Sequence, residues 1–237
     1  MRLKQYKIDA IRSQERKDWS KQIIEGATIE NLDKGAIRLA REKYKEKMAQ
    51  EPISKEVDGM SDEQFLTKMK LLIGGKVTNA AMLLLGNSDF DYLFPTAPSI
   101  MWRLYGADGT DKDYAIFKIP FINVVDKVFA KVRNLTYRYM PNQMTLFPME
   151  TEQYDSWLMR ELLNNSIAHS NYQLGGRIYV NEFDDKIKIT NPGDFIPQRI
   201  ENVLKVSYNP PFYRNKLLAD AMVAFHMIDT ATLGIRR

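Results

Sequence analysis

The chain has 237 residues, 44% of them hydrophobic and 11% aromatic, which is enough for a buried core and argues against intrinsic disorder. A net charge of +4 and an isoelectric point near 9.0 allow an anionic partner without establishing one. The absence of cysteine excludes disulfides and thiolate metal sites, and no long uncharged apolar run is present. We therefore expect a cytoplasmic protein without a membrane-spanning helix.

The first 60 residues are highly charged, and residues 34–48 carry apolar side chains at helical spacing between Lys, Arg and Glu. This pattern predicts an amphipathic helix whose charged face is either solvated or directed to nucleic acid. Ser61 and Gln64 form a capping box for a second helix, which we expect to end at Gly74-Gly75.

The middle of the chain predicts a mixture of strands and helices. Residues 77–85 form a short apolar run of the kind found in buried strands, and residues 100–105 and 114–119 predict a hairpin. Residues 121–139 predict a core-facing helix, whose end (Tyr137, Arg138, Tyr139) either packs or stacks on bases. Residues 141–148 are rich in turn-forming residues and mark the predicted domain boundary.

The C-terminal unit begins near residue 149. Asp155 is placed to cap a helix that runs to about residue 168. Residues 177–183 and 186–190 alternate polar and apolar side chains around Asp184-Asp185, which predicts a hairpin. Residues 196–204 and 216–227 predict two further helices. His226 lies among apolar residues and is expected to be buried or half-buried.

Three polar residues of the first of these helices are candidates for a functional site. Glu161, Asn165 and His169 are four residues apart and therefore share one helix face. Such a face is either a solvated surface or the lining of a pocket. We expect the opposite side of the helix to be buried through Leu162, Leu163 and Ile167.

Four segments in this order, ELLNNSIAHSNY, GRIYVNEFDDKIKITNPGDFIP, YRNKLLADAM and IDTATLGIRR, resemble the C-terminal part of Schlafen-related bacterial transcriptional regulators. These proteins are often labelled RecG-like or divergent ATPases, and their C-terminal unit is similar to the GHKL ATPase fold of gyrase, Hsp90 and histidine kinases. The resemblance implies an α/β fold with a GHKL-like sandwich at residues 149–237. A smaller α+β unit at 61–148 and a charged helical segment at 1–60 would precede it.

The resemblance also implies roles for individual residues. Asn165 would ligate Mg²⁺ and Glu161 would activate water, in a pocket for ATP. His169, Asn191, Gly193, Arg214 and Gly234 would complete the nucleotide-binding residues, although Arg214-Asn215 would otherwise cap the following helix. DNA would be contacted through domains outside this chain, since family members usually carry a Schlafen-type domain before this region. Homo-oligomerisation is left open.

The sequence departs from the GHKL pattern at two places. Asn191 stands where the superfamily has an aspartate, and the glycine-rich phosphate loop is reduced to one glycine, Gly234. These departures leave ATP hydrolysis open and keep a second hypothesis, a degenerate GHKL-like scaffold that binds no nucleotide. DNA binding by this chain alone is a third hypothesis. Helicase activity is not expected, because the chain has no P-loop motif.

Overall fold

The computed structural model describes residues 18–139, 149–196 and 213–228. Its fold is mixed α/β, as predicted. The helices are α1 (Lys34–Lys47), α2 (Ile53–Glu56), α3 (Asp62–Lys68), α4 (Asn79–Leu85), α5 (Val124–Phe129), α6 (Ser156–His169) and α7 (Lys216–Ala224). The strands are β1 (Leu72–Ile73), β2 (Lys76–Val77), β3 (Ile100–Tyr105), β4 (Asp111–Phe117), β5 (Thr136–Tyr139), β6 (Met149–Glu152), β7 (Ile178–Glu182) and β8 (Ile187–Thr190).

The largest sheet has four strands in the order β4-β3-β7-β8. The two outer pairs, β3–β4 and β7–β8, are antiparallel hairpins, and both were predicted from the sequence. The central pair, β3 and β7, is parallel, so the sheet joins strands from either side of residues 141–148. Those residues lie outside the described part of the chain, and the division into three units stays a prediction.

One face of this sheet forms part of the hydrophobic core. Because side chains alternate along a strand, Ile100 and Trp102 of β3 face the same way as Ile178 and Val180 of β7, and all four are buried. α5 packs against β4, and α6 packs against β8. The two helices thus cover this face of the sheet. The packing of α6 against β8 fixes the position of this helix relative to the end of the strand.

The N-terminal part confirms two of the local predictions. α1 buries Ala36, Ile37, Ala40 and Tyr44 along one stripe, as its amphipathic pattern predicted. The capping box at the start of α3 is present, with both the hydroxyl of its serine and the side chain of its glutamine bonded to the backbone.

Three predictions of secondary structure were wrong. Gly74 and Gly75 do not end α3, which stops at Lys68; they form the β1–β2 turn, where both have positive φ. Residues 77–85 contain a helix, α4, capped by Thr78. Every residue of α4 is buried, and its apolar run from Ala80 to Leu85 carries no periodicity to distinguish it from a strand. The helix predicted over 121–139 ends at Phe129, and β5 follows it.

The C-terminal helix α7 is attached to the N-terminal part of the described chain. The backbone amide of Leu217 donates to Asp18 Oδ2, and that of Leu218 donates to Ser20 Oγ, each at 3.0 Å. The side chains of Asp18 and Ser20 therefore satisfy amides at the start of α7, which a helix cannot satisfy internally.

The helix predicted at 196–204 falls almost entirely outside the described residues. Within the described ranges, no helix combines the length and apolar character needed to cross a bilayer.

Candidate functional site

The candidate site is built on α6, whose start follows the sequence prediction. The side chain of Asp155 accepts a hydrogen bond from the Leu158 amide at 2.8 Å and caps the helix. Leu163 and Ile167 are buried, as expected. The prediction for Leu162 was wrong: its side chain is 44% exposed, because it lies on the outer side of the helix.

Glu161 and Asn165 contact each other on one face of α6. Asn165 Nδ2 donates a hydrogen bond to Glu161 Oε1 at 3.1 Å, and both residues are half-buried. The bond orients the amide so that its carbonyl oxygen, Oδ1, is directed away from the carboxylate. This pair supplies two oxygen acceptors, Asn165 Oδ1 and Glu161 Oε2, of the type that hard cations and water prefer.

The C-terminal end of α6 is held by a residue from the far end of the chain. Asn215 is 2% exposed, and its Nδ2 donates to the carbonyl oxygens of Ala168 and Ser170 at 3.0 and 2.8 Å. Asn215 occupies the N-cap position of α7, as predicted, but its side chain makes no capping hydrogen bond to that helix. It satisfies carbonyls at the end of α6 instead.

The turn after β8 lies beside this helix end. The amide of Asn171 donates to the Pro192 carbonyl at 2.8 Å, which joins the chain after α6 to the Asn191-Pro192-Gly193 turn. Gly193 has a φ of +111°. A Cβ built on Gly193 would lie 2.0 Å from Arg214 Nη1, and Arg214 Nη2 donates to the Asp194 carbonyl at 2.9 Å. The guanidinium of Arg214 therefore lies directly across Gly193, in space that any other residue would fill.

The positive charge of Arg214 also reaches His169. Two causes lower the pKa of His169: partial desolvation of its imidazole first, and the charge of Arg214 second. His169 is nevertheless an exposed residue, so its surroundings are open to solvent. The tertiary structure thus brings His169, Gly193 and Arg214 together at the end of α6.

The other predicted site residues lie at different distances from this cluster. Asn165 and Glu161 are one and two turns earlier on α6, or about 6 and 12 Å along the helix axis. Asn191 is half-buried at the turn beside the cluster. Gly234 lies outside the described residues. No group of three or more His, Cys, Asp or Glu side chains within the described ranges could hold a metal ion.

A cavity of about 250 Å³ lies at the opposite end of α6. It is bounded by α5 and the first turns of α6, through residues 9 to 13 positions before His169. Its lining consists of Val125, Asp126, Phe129, Ser156, Trp157 and Arg160. The sequence pattern gave no signal for this cavity, which does not include any of the predicted site residues.

Two buried polar residues have structural roles that the sequence did not indicate. Glu182 is 1% exposed, and its carboxylate accepts from Trp102 Nε1 at 2.9 Å and from Arg133 Nε at 2.7 Å. Asn164 donates from Nδ2 to the Met227 carbonyl at 2.6 Å. The prediction that His226 is buried or half-buried was wrong: it follows the end of α7 with a φ of +56° and is exposed.

Two family models match parts of the chain. Residues 9–97 match a domain of unknown function, DUF8451. Residues 175–237 match a family described as "Putative ATP-dependent DNA helicase recG C-terminal", HATPase_c_4. The chain is therefore similar, in this region, to the RecG-like ATPase-type regions that the sequence indicated. The matched range includes Asn191, Gly193, Arg214 and Gly234, and it begins after Glu161, Asn165 and His169.

The fold as a whole is shared with a solved structure. The DIP2311 protein from Corynebacterium diphtheriae matches 95% of this chain with a TM-score of 0.69 and 19% sequence identity. This chain spans 43% of the length of that protein. At this identity the likeness concerns the fold. No curated protein matched the sequence.

Proposed function

We propose that this chain carries a divergent GHKL-type site for ATP with Mg²⁺, within a DNA-binding transcriptional regulator. Support comes from the family match at residues 175–237 and from the ordered motifs that resemble Schlafen-related regulators. In this proposal DNA is contacted through domains outside the chain, and the protein acts in the cytoplasm.

The observation that carries the proposal is the cluster of His169, Gly193 and Arg214. A guanidinium offers several donors in a planar arrangement that matches phosphate oxygens. Gly193 lets this guanidinium lie against the backbone. His169, at the end of α6, would add a second nitrogen donor or acceptor. An anionic group at this corner would relieve the unfavourable interaction between Arg214 and a protonated His169.

Asn165 and Glu161 extend this corner along α6. Asn165 Oδ1 would hold Mg²⁺, and the bound ion would neutralise part of the phosphate charge. Glu161 Oε1 already accepts a bond from Asn165, and its second oxygen, Oε2, would accept a proton from a water molecule. Asn191 would accept a hydrogen bond from the adenine amino group, and Gly234 would approach the phosphates.

Titration calorimetry with ATP and Mg²⁺ tests this proposal. We expect binding to the intact chain, and a loss of at least tenfold in affinity for Arg214→Gln and for Asn165→Ala. Gln173→Ala is the matched control, because Gln173 is exposed just beyond the same helix. A ligand at 100 times its dissociation constant stabilises a protein by about 2.7 kcal/mol, so a thermal shift should accompany binding. Absence of both signals at millimolar ATP would refute nucleotide binding.

A second candidate is a nucleotide-free GHKL-like scaffold that supports oligomerisation of the regulator. It is favoured by the hydrogen bond between Glu161 and Asn165, which already occupies part of both side chains, and by the exposed Leu158 and Leu162 on the same side of α6. Sedimentation velocity of the chain and of Leu158→Ser/Leu162→Ser tests it. A dimer that the double variant dissociates supports the scaffold, whereas a monomer in both cases removes it.

A further inference from the structure

The face of the four-stranded sheet opposite α5 and α6 carries aromatic and basic side chains. The strand registers place Tyr114 beside Arg103, and Ile116 beside Met101, on this outer face. Tyr114 is 63% exposed and Ile116 is 44% exposed, while Tyr179 of β7 is half-buried in the neighbouring row. None of these residues belongs to the proposed nucleotide site.

The aromatic rings of the outer face are arranged around Arg103. Its guanidinium lies 5.9 Å from the centroid of the Tyr179 ring, and its Nη1 donates to Tyr105 Oη at 3.4 Å. Tyr105 in turn stacks on Phe183, with ring centroids 4.9 Å apart and planes inclined by 10°. Rings held in this way have little side-chain freedom left to lose when a further planar group stacks on them.

The charge of the outer face is positive. Arg103, Arg177 and Lys188 are on this face, and the strand register places Lys188 beside Asn181. Arg177 Nη1 lies 3.9 Å from Met101 Sδ, which fixes its direction across the face. Against these three cations stands the carboxylate of Asp111, whose charge acts on Arg103. The surface therefore complements a polyanion.

We propose that this outer face binds single-stranded nucleic acid. Bases stack on Tyr114 and on Tyr179, and backbone phosphates pair with Arg177 and Lys188. Tyr114 and Tyr179 are on strands two positions apart, about 10 Å, so they contact different bases. Stacking combined with cations along the backbone is the mode by which proteins bind single strands without strong sequence preference.

The same chemistry disfavours two other occupants. The bases of a duplex are stacked on one another and cannot lie on the tyrosines. A second copy of the chain would place one positive face against another, which costs free energy.

Fluorescence anisotropy with a labelled oligothymidine of about 20 nucleotides tests the proposal on the whole chain. Tyr114→Ala should weaken binding about tenfold, since one stacking partner is lost. Tyr92→Ala is the matched control: Tyr92 is 69% exposed on the 3-10 helix Ser88–Leu93, outside the four strands of the sheet, and its loss should leave binding unchanged.

The salt dependence gives a second readout. Lys188→Ala should reduce the slope of log K against log salt by about 0.7, the value for one phosphate contact of a single strand. Lys76→Ala on β2, another exposed lysine, should leave the slope unchanged. Arg214→Gln should not affect oligonucleotide binding, which separates this face from the nucleotide site.

Four results would overturn the proposal. These are no binding at low salt, equal losses for Tyr114→Ala and Tyr92→Ala, tighter binding of a duplex of equal length, and self-association that Tyr114→Ala abolishes.

Discussion

Replacement of Gly193 by alanine is the most direct test of the corner formed by the turn and Arg214. The alanine Cβ would lie 2.0 Å from Arg214 Nη1 and 2.9 Å from Asn171 Cβ, both closer than atoms can approach. Arg214 is the longer and more flexible of the two side chains, so it must move. Its movement breaks the bond from Nη2 to the Asp194 carbonyl.

The expected cost has two parts. An L-residue at a φ of +111° carries backbone strain of about 1–3 kcal/mol. Loss of the bond from the half-buried Arg214 adds about 1 kcal/mol, less than a fully buried charged bond would. We therefore expect Gly193→Ala to lower the free energy of unfolding by about 3 kcal/mol and the melting temperature by roughly 6–12 °C.

Urea denaturation of a double-mutant cycle with Arg214→Ala measures the clash by itself. Arg214→Ala removes the obstructing guanidinium, so the double variant should be about 1 kcal/mol more stable than the sum of the single changes predicts. Gly109→Ala is the matched control, because Gly109 has a φ of +79° and open space around its Cβ position. If Gly193→Ala costs no more than Gly109→Ala and the cycle is additive, Arg214 does not lie across Gly193.

Three further predictions concern stability and pH. Glu182→Gln should lower the free energy of unfolding, measured by urea denaturation, by about 2 kcal/mol, because a carboxamide leaves Trp102 Nε1 or Arg133 without an acceptor. A cost equal to that of Glu150→Gln, at an exposed residue, would contradict this. Asn215→Asp should lower the free energy of unfolding by about 2–4 kcal/mol, because it places a carboxylate against two carbonyl oxygens in place of a buried donor. Asn87→Asp, at a helix N-cap where either residue accepts the bond, should be nearly neutral by the same measurement. NMR titration of His169 should give a pKa below the usual value of about 6.5, and Arg214→Gln should raise it part of the way back because desolvation remains. Since the folded pKa is lowered, the stability that neutral His169 contributes is complete above about pH 6.5 and is lost as the pH falls through the folded pKa. A measured pKa at or above the usual value would show that the imidazole does not lie near Arg214.

Local sequence signals predicted much of the secondary structure because their physical causes are local. Asp155 and Ser61 cap helices by accepting hydrogen bonds from backbone amides three residues later in the chain. The buried side chains of α1 likewise recur every three or four residues. The two hairpins follow from alternation and short turns. Where the pattern carried no period, as in the wholly buried α4, the prediction was wrong.

The candidate site could be predicted only in part for the same reason. The spacing of Glu161 and Asn165 was enough to place them on one helix face, where they form a hydrogen bond. Nothing in the sequence indicated that Asn215 holds the end of α6, or that Arg214 lies across Gly193. Those contacts join residues 20 to 47 positions apart, and no local preference encodes them.

The sequence by itself determined the mixed α/β class, most helix and hairpin positions and the resemblance to RecG-like ATPase-type regions, because composition, periodicity and motifs are properties of neighbouring residues. The tertiary structure decided the parallel pairing of β3 with β7 and the attachment of α7 to Asp18 and Ser20. It also decided which polar groups are buried together, such as Glu182 with Trp102. These features depend on burying apolar surface and satisfying polar groups across the whole fold, and that requirement acts between segments far apart in the chain.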